Sequence, residues 1–213
     1  MNLVKRSALV IFMIILVSFG ASLTLKAAVG VGAWDAISQS MSLLTGIKVG
    51  TFAMFLNGSC VIGQLIVLHK NFNISRILQI GVAILLGVFV NFFYYNLLSS
   101  INLDSYIVRL ITFILAMIIL SFAVAAVMVI NVVTFPLEAL CMVVSDKTGL
   151  NFAKLRQGVD VFAIVYSLAI TFFFAQALVV REGTIIGMLL FGPLLGFFMH
   201  HLEPTFTKLN LTK

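Results

Sequence analysis

The sequence predicts an all-α polytopic membrane protein of about six transmembrane helices, arranged as two three-span repeats that each carry a short broken or re-entrant helix. Three observations carry this prediction. Of the 213 residues, 62% are hydrophobic and 9% are charged, with a mean hydropathy of +1.20, whereas a soluble domain carries about 25% charged residues. Six apolar stretches reach the roughly 20 residues that cross ~30 Å of hydrocarbon. A short polar-faced segment after the first stretch recurs 103 residues further on.

The spans are expected at 7–25, 49–68, 77–98, 107–130, 157–180 and 184–202. The first follows Lys5-Arg6 and could pass for a signal peptide. Its uncharged run of about 19 residues exceeds the 7 to 15 of a signal core, so it is read as a span. The thirteen basic residues form no run longer than Lys5-Arg6, which argues against nucleic acid as a partner and for basic residues as markers of topology. With the N-terminus inside, Lys5, Arg6, Lys70, Arg76, Lys147, Lys154, Arg156, Lys208 and Lys213 face the cytoplasm, while Lys26, Lys48, Arg109 and Arg181 face outward. That distribution favours both termini in the cytoplasm by the positive-inside rule. It holds equally if the two short segments also cross, so it leaves the helix count open.

The first short segment runs from Trp34 to Thr45, the second from Pro136 to Lys147. At an offset of 103, Asp35 falls on Glu138, Ala36 on Ala139, Ser42 on Ser145, and Thr45-Gly46-Ile47 on Thr148-Gly149-Leu150. At an offset of 105, Gly87 and Phe92 fall on Gly192 and Phe197. Two units follow, 1–104 and 105–213, each a span, a short helix and two further spans. Twelve residues make a helix of ~18 Å, too short to cross. If it dips into the bilayer or lies at its surface, the second unit is inverted relative to the first; if it crosses, the units are parallel. Gly46 and Gly149 suit the left-handed position that ends a helix, and Pro136 suits a first turn.

The stretch Gly30-x-Gly32-x-Trp34-Asp35-Ala36, followed by Thr45-Gly46-Ile47-x-Val49-Gly50-Thr51, resembles the YczE/YyaS/YitT-type family of small bacterial integral membrane proteins. The resemblance covers nearly the whole chain, including Thr148-Gly149-Leu150, Arg156, Gly183-Thr184 and Gly192-Pro193. It departs from the family where Asn131 to Glu138 replaces a second Gly-x-Gly-like stretch. The resemblance implies a bacterial inner (cytoplasmic) membrane and supplies no chemistry.

Candidate site residues come from the broken segments. Gly30 and Gly32 give irregular backbone, which at membrane depth needs a polar cavity. Trp34, Asp35, Ser38 and Gln39 belong to the first segment, Glu138 and Cys141 to the second. These eight residues form the expected substrate or ion site, with Arg156 and Asp160, four apart on one helix face, as a gate or ion pair. Capping of the helix dipole is the competing account of Asp35, worth ~0.3 to 1 kcal/mol. Glu138 has the greasier frame, and an acid at bilayer depth costs ~2.5 to 3.5 kcal/mol on insertion scales.

Trp34, with Tyr94, Tyr95 and Tyr106, fits an outer aromatic belt. Gly81, Gly87, Gly187, Gly192 and Gly196 suggest close packing of the third span on the sixth. Cys60 and Cys141 form no disulfide framework, and His200 and His201 beside Glu203 suit interfacial solvation better than a metal. No nucleophile elbow, phosphate loop or zinc motif is present, so neither an enzyme nor a cofactor is expected. The expected function is a small transporter, or a substrate-binding membrane component, taking a small polar or cationic substrate at a site between the repeats. The alternative is a non-transporting regulatory or scaffold protein acting through a membrane protein partner. A homodimer is compatible with the small chain, and the lipid bilayer is the one partner that composition demands.

Overall fold

The computed structural model describes residues 3–209 and Leu211, with Lys213 of the basic set outside them. Among the described residues it is helical throughout its regular structure, with α1 (Leu3–Ala27), α2 (Ala33–Thr45), α3 (Val49–Leu68), α4 (Leu78–Phe92), α5 (Tyr106–Ile130), α6 (Pro136–Thr148), α7 (Phe152–Phe174) and α8 (Glu182–Lys208). Six helical runs among the described residues are long and apolar enough to cross a membrane, the third being Ile74–Leu97 with α4 at its centre; α2 and α6 are not. The third span, α4, continues into a π turn at Phe93–Leu97.

Helix α1 and helix α5 form the centre, antiparallel and in close contact along Gly20, whose missing side chain admits Leu120 and the Ala116 carbonyl. Small residues have this use in membrane bundles, where lipid is as apolar as the side chains and packing must hold helices together. The Arg6 guanidinium donates to the Ile130 carbonyl at 2.6 Å, satisfying one of the orphan acceptors at the end of α5. Ser18 and Ser22 donate to carbonyls of their own helix at 2.9 and 2.8 Å, and their hydroxyls also lie 3.4 Å from the Leu86 and Val90 carbonyls. That register makes α4 parallel to α1.

Helix α3 runs back along α4, with Gly50 against Gly87 near one end and Gln64 donating to Gln79 at 2.8 Å near the other. Gln64 is fully buried, and Arg76 donates to its oxygen at 2.8 Å, so each polar atom of the Gln64 side chain is paired. Helix α8 follows α5, Gly187 lying against Phe113 and Met117, and Phe122 against Phe198. At the start of α8, the Gly183 amide donates to the Val29 carbonyl at 2.7 Å and Arg181 donates to the Ala28 carbonyl at 2.8 Å.

These directions resolve the short helices. Helix α1 ends at the pole opposite Lys5 and Arg6, and α3 starts at that same pole, so α2 enters and leaves from one side. Ala33, Ala36 and Ile37 at its start are buried, whereas Thr45 to Lys48 are exposed. Helix α6 does the same from the basic pole: Pro136 and Leu137 are buried, and Asp146 to Leu150 are exposed. Both helices have thirteen residues. Gly46 (φ 76°) and Gly149 (φ 73°) end them in the left-handed conformation, donating to Ser42 and Ser145 carbonyls at 2.9 and 2.8 Å. The Ser42 and Ser145 hydroxyls in turn donate to the Ile47 and Leu150 carbonyls, both at 2.6 Å. Helix α5 thus runs opposite to α1, α7 opposite to α3, and α8 opposite to α4.

Three expectations are corrected. The fifth span begins at Phe152, not 157, because Asn151 caps it by accepting from the Ala153 and Lys154 amides at 2.9 and 3.4 Å, and because acids neutralise Arg156 inside it. The third and sixth spans do not pack on each other: Gly87 meets α3, Gly187 meets α5, and a Cβ built at Gly81, Gly192 or Gly196 would touch nothing within 4 Å. Trp34 sits at the buried start of α2, away from any outer aromatic belt.

Gly30 is needed where the chain turns from α1 into α2. Its φ is +125°, open in practice to glycine alone, and a Cβ there would lie 2.5 Å from the Thr184 amide nitrogen. Gly30→Ala is expected to cost about 3 kcal/mol, from strain plus the overlap with α8, read as an earlier thermal unfolding midpoint in detergent.

Candidate functional site

The buried starts of α2 and α6 open into one cavity of about 410 Å³, closed by α1 and α5 behind and flanked by α7 and α8. This volume falls in the range of small-molecule sites, ~300 to 1,000 Å³. Each short helix delivers an acid from the third position of its first turn: Asp35 follows the Gly32 cap, Glu138 the Phe135 cap. Helix α7 contributes Arg156 and Asp160 from one face.

The Arg156 guanidinium stands between two carboxylates. Its Nε lies 3.6 Å from the Glu138 Oε1, and its Nη1 donates to the Asp160 Oδ1. The three side chains are 15 to 21% exposed, so water solvates them poorly. Asp35 borders the same cavity with its carboxylate folded toward Gly32, and among the described residues it has neither hydrogen bond nor ion pair. The first turn of α2 therefore gives it the favourable dipole but no capping hydrogen bond. Three carboxylates meet one guanidinium. A carboxylate withdrawn from water without a partner is strongly disfavoured and takes up a proton or a cation.

Most of the remaining wall is apolar, including Met117, Met128, Met188, Phe191 and Leu195. Trp34 separates this cavity from a second one of about 400 Å³, which lies among α2, α3 and α7 and is lined by Ile37, Met41, Phe55 and Phe162. The Trp34 indole nitrogen and the Ser38 hydroxyl are buried without partners. A third cavity, about 270 Å³, lies at the basic pole beside Arg76 and Asp146.

Of the residues singled out from the sequence, the structure brings together Gly32, Trp34, Asp35, Glu138, Arg156 and Asp160 around the first cavity. It places four elsewhere. Gly30 packs on Thr184, Ser38 lines the second cavity, Gln39 lines none of the three cavities, and Cys141 is buried in an apolar cluster with Cys60 and Leu137. Both thiols are free. Sequence reading missed Thr24, Met117, Gly187, Met188, Gly192 and Gln157, which also line the cavity. The pairing of Gly192 with Gly87 in the repeat alignment was the available signal for one of them. Among the described residues, no three His, Cys, Asp or Glu side chains are grouped to hold a metal ion.

Residues 4–200 match the model of DUF6198, a family of unknown function. The chain is 30% identical to the uncharacterized membrane protein YczE of Bacillus subtilis (strain 168) over 151 residues, which cover 69% of this chain and 66% of YczE. It is 24% identical to the uncharacterized protein YyaS of the same organism over 199 residues, 92% of this chain and 94% of YyaS. The match thus spans about two thirds of the one and nearly all of the other. No solved structure matches the chain.

Proposed function

The chain belongs to DUF6198, a family of unknown function, and from the geometry of its site we propose that it is a small transporter, or the substrate-binding component of one, built from two inverted repeats of three spans. The repeats are 1–104 and 105–213, the termini face the cytoplasm of a bacterial inner membrane, and the substrate is a small cation or a molecule with a polar cationic group. The observation that carries this reading is the convergence of two short helices, whose acids enter one cavity where three carboxylates meet a single guanidinium that pairs with two of them. Matching helix-stop hydrogen bonds at an offset of 103 residues support the duplication. Interrupted helices that meet in a cavity are the arrangement by which secondary transporters expose backbone and charge to a substrate at membrane depth. The cavity offers binding groups and no activated nucleophile, so translocation or binding is favoured over catalysis.

Asp35→Asn and Glu138→Gln test this. In a thermal-shift screen of purified protein against inorganic and organic cations, the wild type is expected to be stabilised by one class. By linkage, a ligand at 100 times its dissociation constant adds about 2.7 kcal/mol. Both variants are expected to insert normally and lose that response. Asp35→Asn is also expected to unfold no earlier than the wild type without ligand, because it removes an unpaired charge. An unchanged response in both variants would reject the site. The second cavity favours the other reading, since its nearly all-apolar wall on α2, α3 and α7 suits a partner helix. Stoichiometric co-purification with one other chain, with no response to any cation, would establish a regulatory or scaffold role instead.

A further inference from the structure

The two halves differ where the last two spans of each would meet. Helix α3 packs along the length of α4, whereas α7 makes no comparable contact with α8. In the first half the contact is made by glycines: a Cβ on Gly50 would overlap the Gly87 carbonyl, and a Cβ on Gly87 would overlap the Gly50 carbonyl and Met54. The residues at the same register in the second half are Ala153, 103 positions after Gly50, and Gly192, 105 after Gly87. Both are exposed, both line the first cavity, and nothing lies within 4 Å of a Cβ built on Gly192. The cavity therefore opens through the side of the bundle, between α7 and α8, where lipid chains would lie. Leu189 beside the opening is 64% exposed.

What lies inside suits a particular solute. Asp35 is a carboxylate without a partner, and Trp34 on the same wall presents an aromatic ring to cations and has its indole N–H buried without an acceptor. Apart from Thr24, Gln157 and the cluster in which Glu138 and Asp160 pair with Arg156, the rest of the wall is mostly methionine, leucine and phenylalanine, which favour a flexible apolar chain. We propose that the cavity takes a cationic amphiphile, with an ammonium head beside Asp35 and an apolar tail along α8, which enters sideways between α7 and α8. This rests on the binding reading above and names its substrate class. A charged, water-soluble solute would have no reason to use a side opening, because hydrocarbon excludes it. An amphiphile is already concentrated in the bilayer with its tail at that depth.

Trp34 is the only tryptophan of the chain, so its emission reports on the cavity. The test uses the whole protein in discs of phosphatidylglycerol, a lipid without an ammonium group, titrated with dodecyl(2-hydroxyethyl)dimethylammonium, with choline as the head alone and with dodecanol as the chain alone. The expected result is a saturable change with the amphiphile at concentrations lower than for choline by about tenfold or more, and none with dodecanol. Asp35→Asn should abolish it. Gly192→Phe and Ala153→Phe, which fill the opening from either side, should weaken it by about tenfold. Gly196→Phe, equally open but outside the cavity lining, should leave it unchanged. Equal binding of choline would overturn the amphiphile and leave the cation site standing. Saturable binding that survives Asp35→Asn would overturn the role of the charge, and indifference to both Gly192→Phe and Ala153→Phe would overturn sideways entry. No response to any of the three probes, with another cation active in the thermal-shift screen, would overturn the substrate class alone.

Discussion

Gly87→Ala is expected to be among the most damaging single-methyl substitutions in this protein, whereas Gly192→Ala, 105 residues further on in α8, is expected to be harmless. The added Cβ at Gly87 would overlap the Gly50 carbonyl and the Met54 side chain. Met54 can move, but the Gly50 carbonyl is backbone within a helix and can retreat only if α3 separates from α4. That separation would also stretch the hydrogen bonds from the Gly50 amide to Asn91 Oδ1 (2.9 Å) and from Asn91 to Thr51 (3.0 Å), and expose apolar contacts along both helices. Overpacking of this kind costs about 1 to 3 kcal/mol, and the upper end applies where the obstacle is backbone. At Gly192 the methyl enters open space, and alanine is the better helix former by about 0.5 to 1 kcal/mol, so stability should hold or rise slightly. Thermal unfolding of both variants in one detergent decides the matter: equal losses would mean that α7 and α8 pack together as α3 and α4 do.

Arg156→Met is expected to destabilise the protein by about 3 kcal/mol or more, since removal of one partner from a poorly solvated ion cluster leaves the others uncompensated. Glu138 and Asp160 both depend on this guanidinium, and Asp35 adds a third carboxylate to the same cavity. The residual 15 to 21% exposure of the cluster places the cost toward the lower end of the ~3 to 5 kcal/mol typical of fully buried pairs. The decisive control is the triple variant Arg156→Met, Glu138→Gln, Asp160→Asn. Replacing all the charges together removes the uncompensated carboxylates, and most of the lost stability should return. If Arg156→Met alone unfolds at the wild-type temperature, the cluster is hydrated from the cavity and contributes to binding without holding the fold.

The spans were legible because a bilayer admits few solutions: apolar runs long enough to cross it read directly as helices, and five of the six begin within four residues of where the sequence puts them. The short helices were legible for a local reason. The serine seven residues after Asp35 and after Glu138 and the Thr-Gly stop form hydrogen bonds within one segment, so the stop of each helix is complete in its own residues. The fifth span was misplaced because a hydropathy reading counts Arg156 as a charge that must stay out of the membrane. Its neutralisation by Glu138 comes from a helix eighteen residues away in sequence and cannot be seen in the span itself.

By itself, then, the sequence determined the positions of the six long apolar helices, those of the two short helices and the acids they carry, since hydrophobic length, helix period and helix stops act between near neighbours. Only the tertiary structure decided that α2 and α6 each begin inside the bundle and end exposed, that Arg156 joins Glu138 to Asp160, and that Gly87 is clamped while Gly192 faces open space. The physical reason is the same for all three. A glycine or an arginine carries no record of what will approach it, and the approach is set by helix directions and packing distances that arise only when all eight helices are assembled.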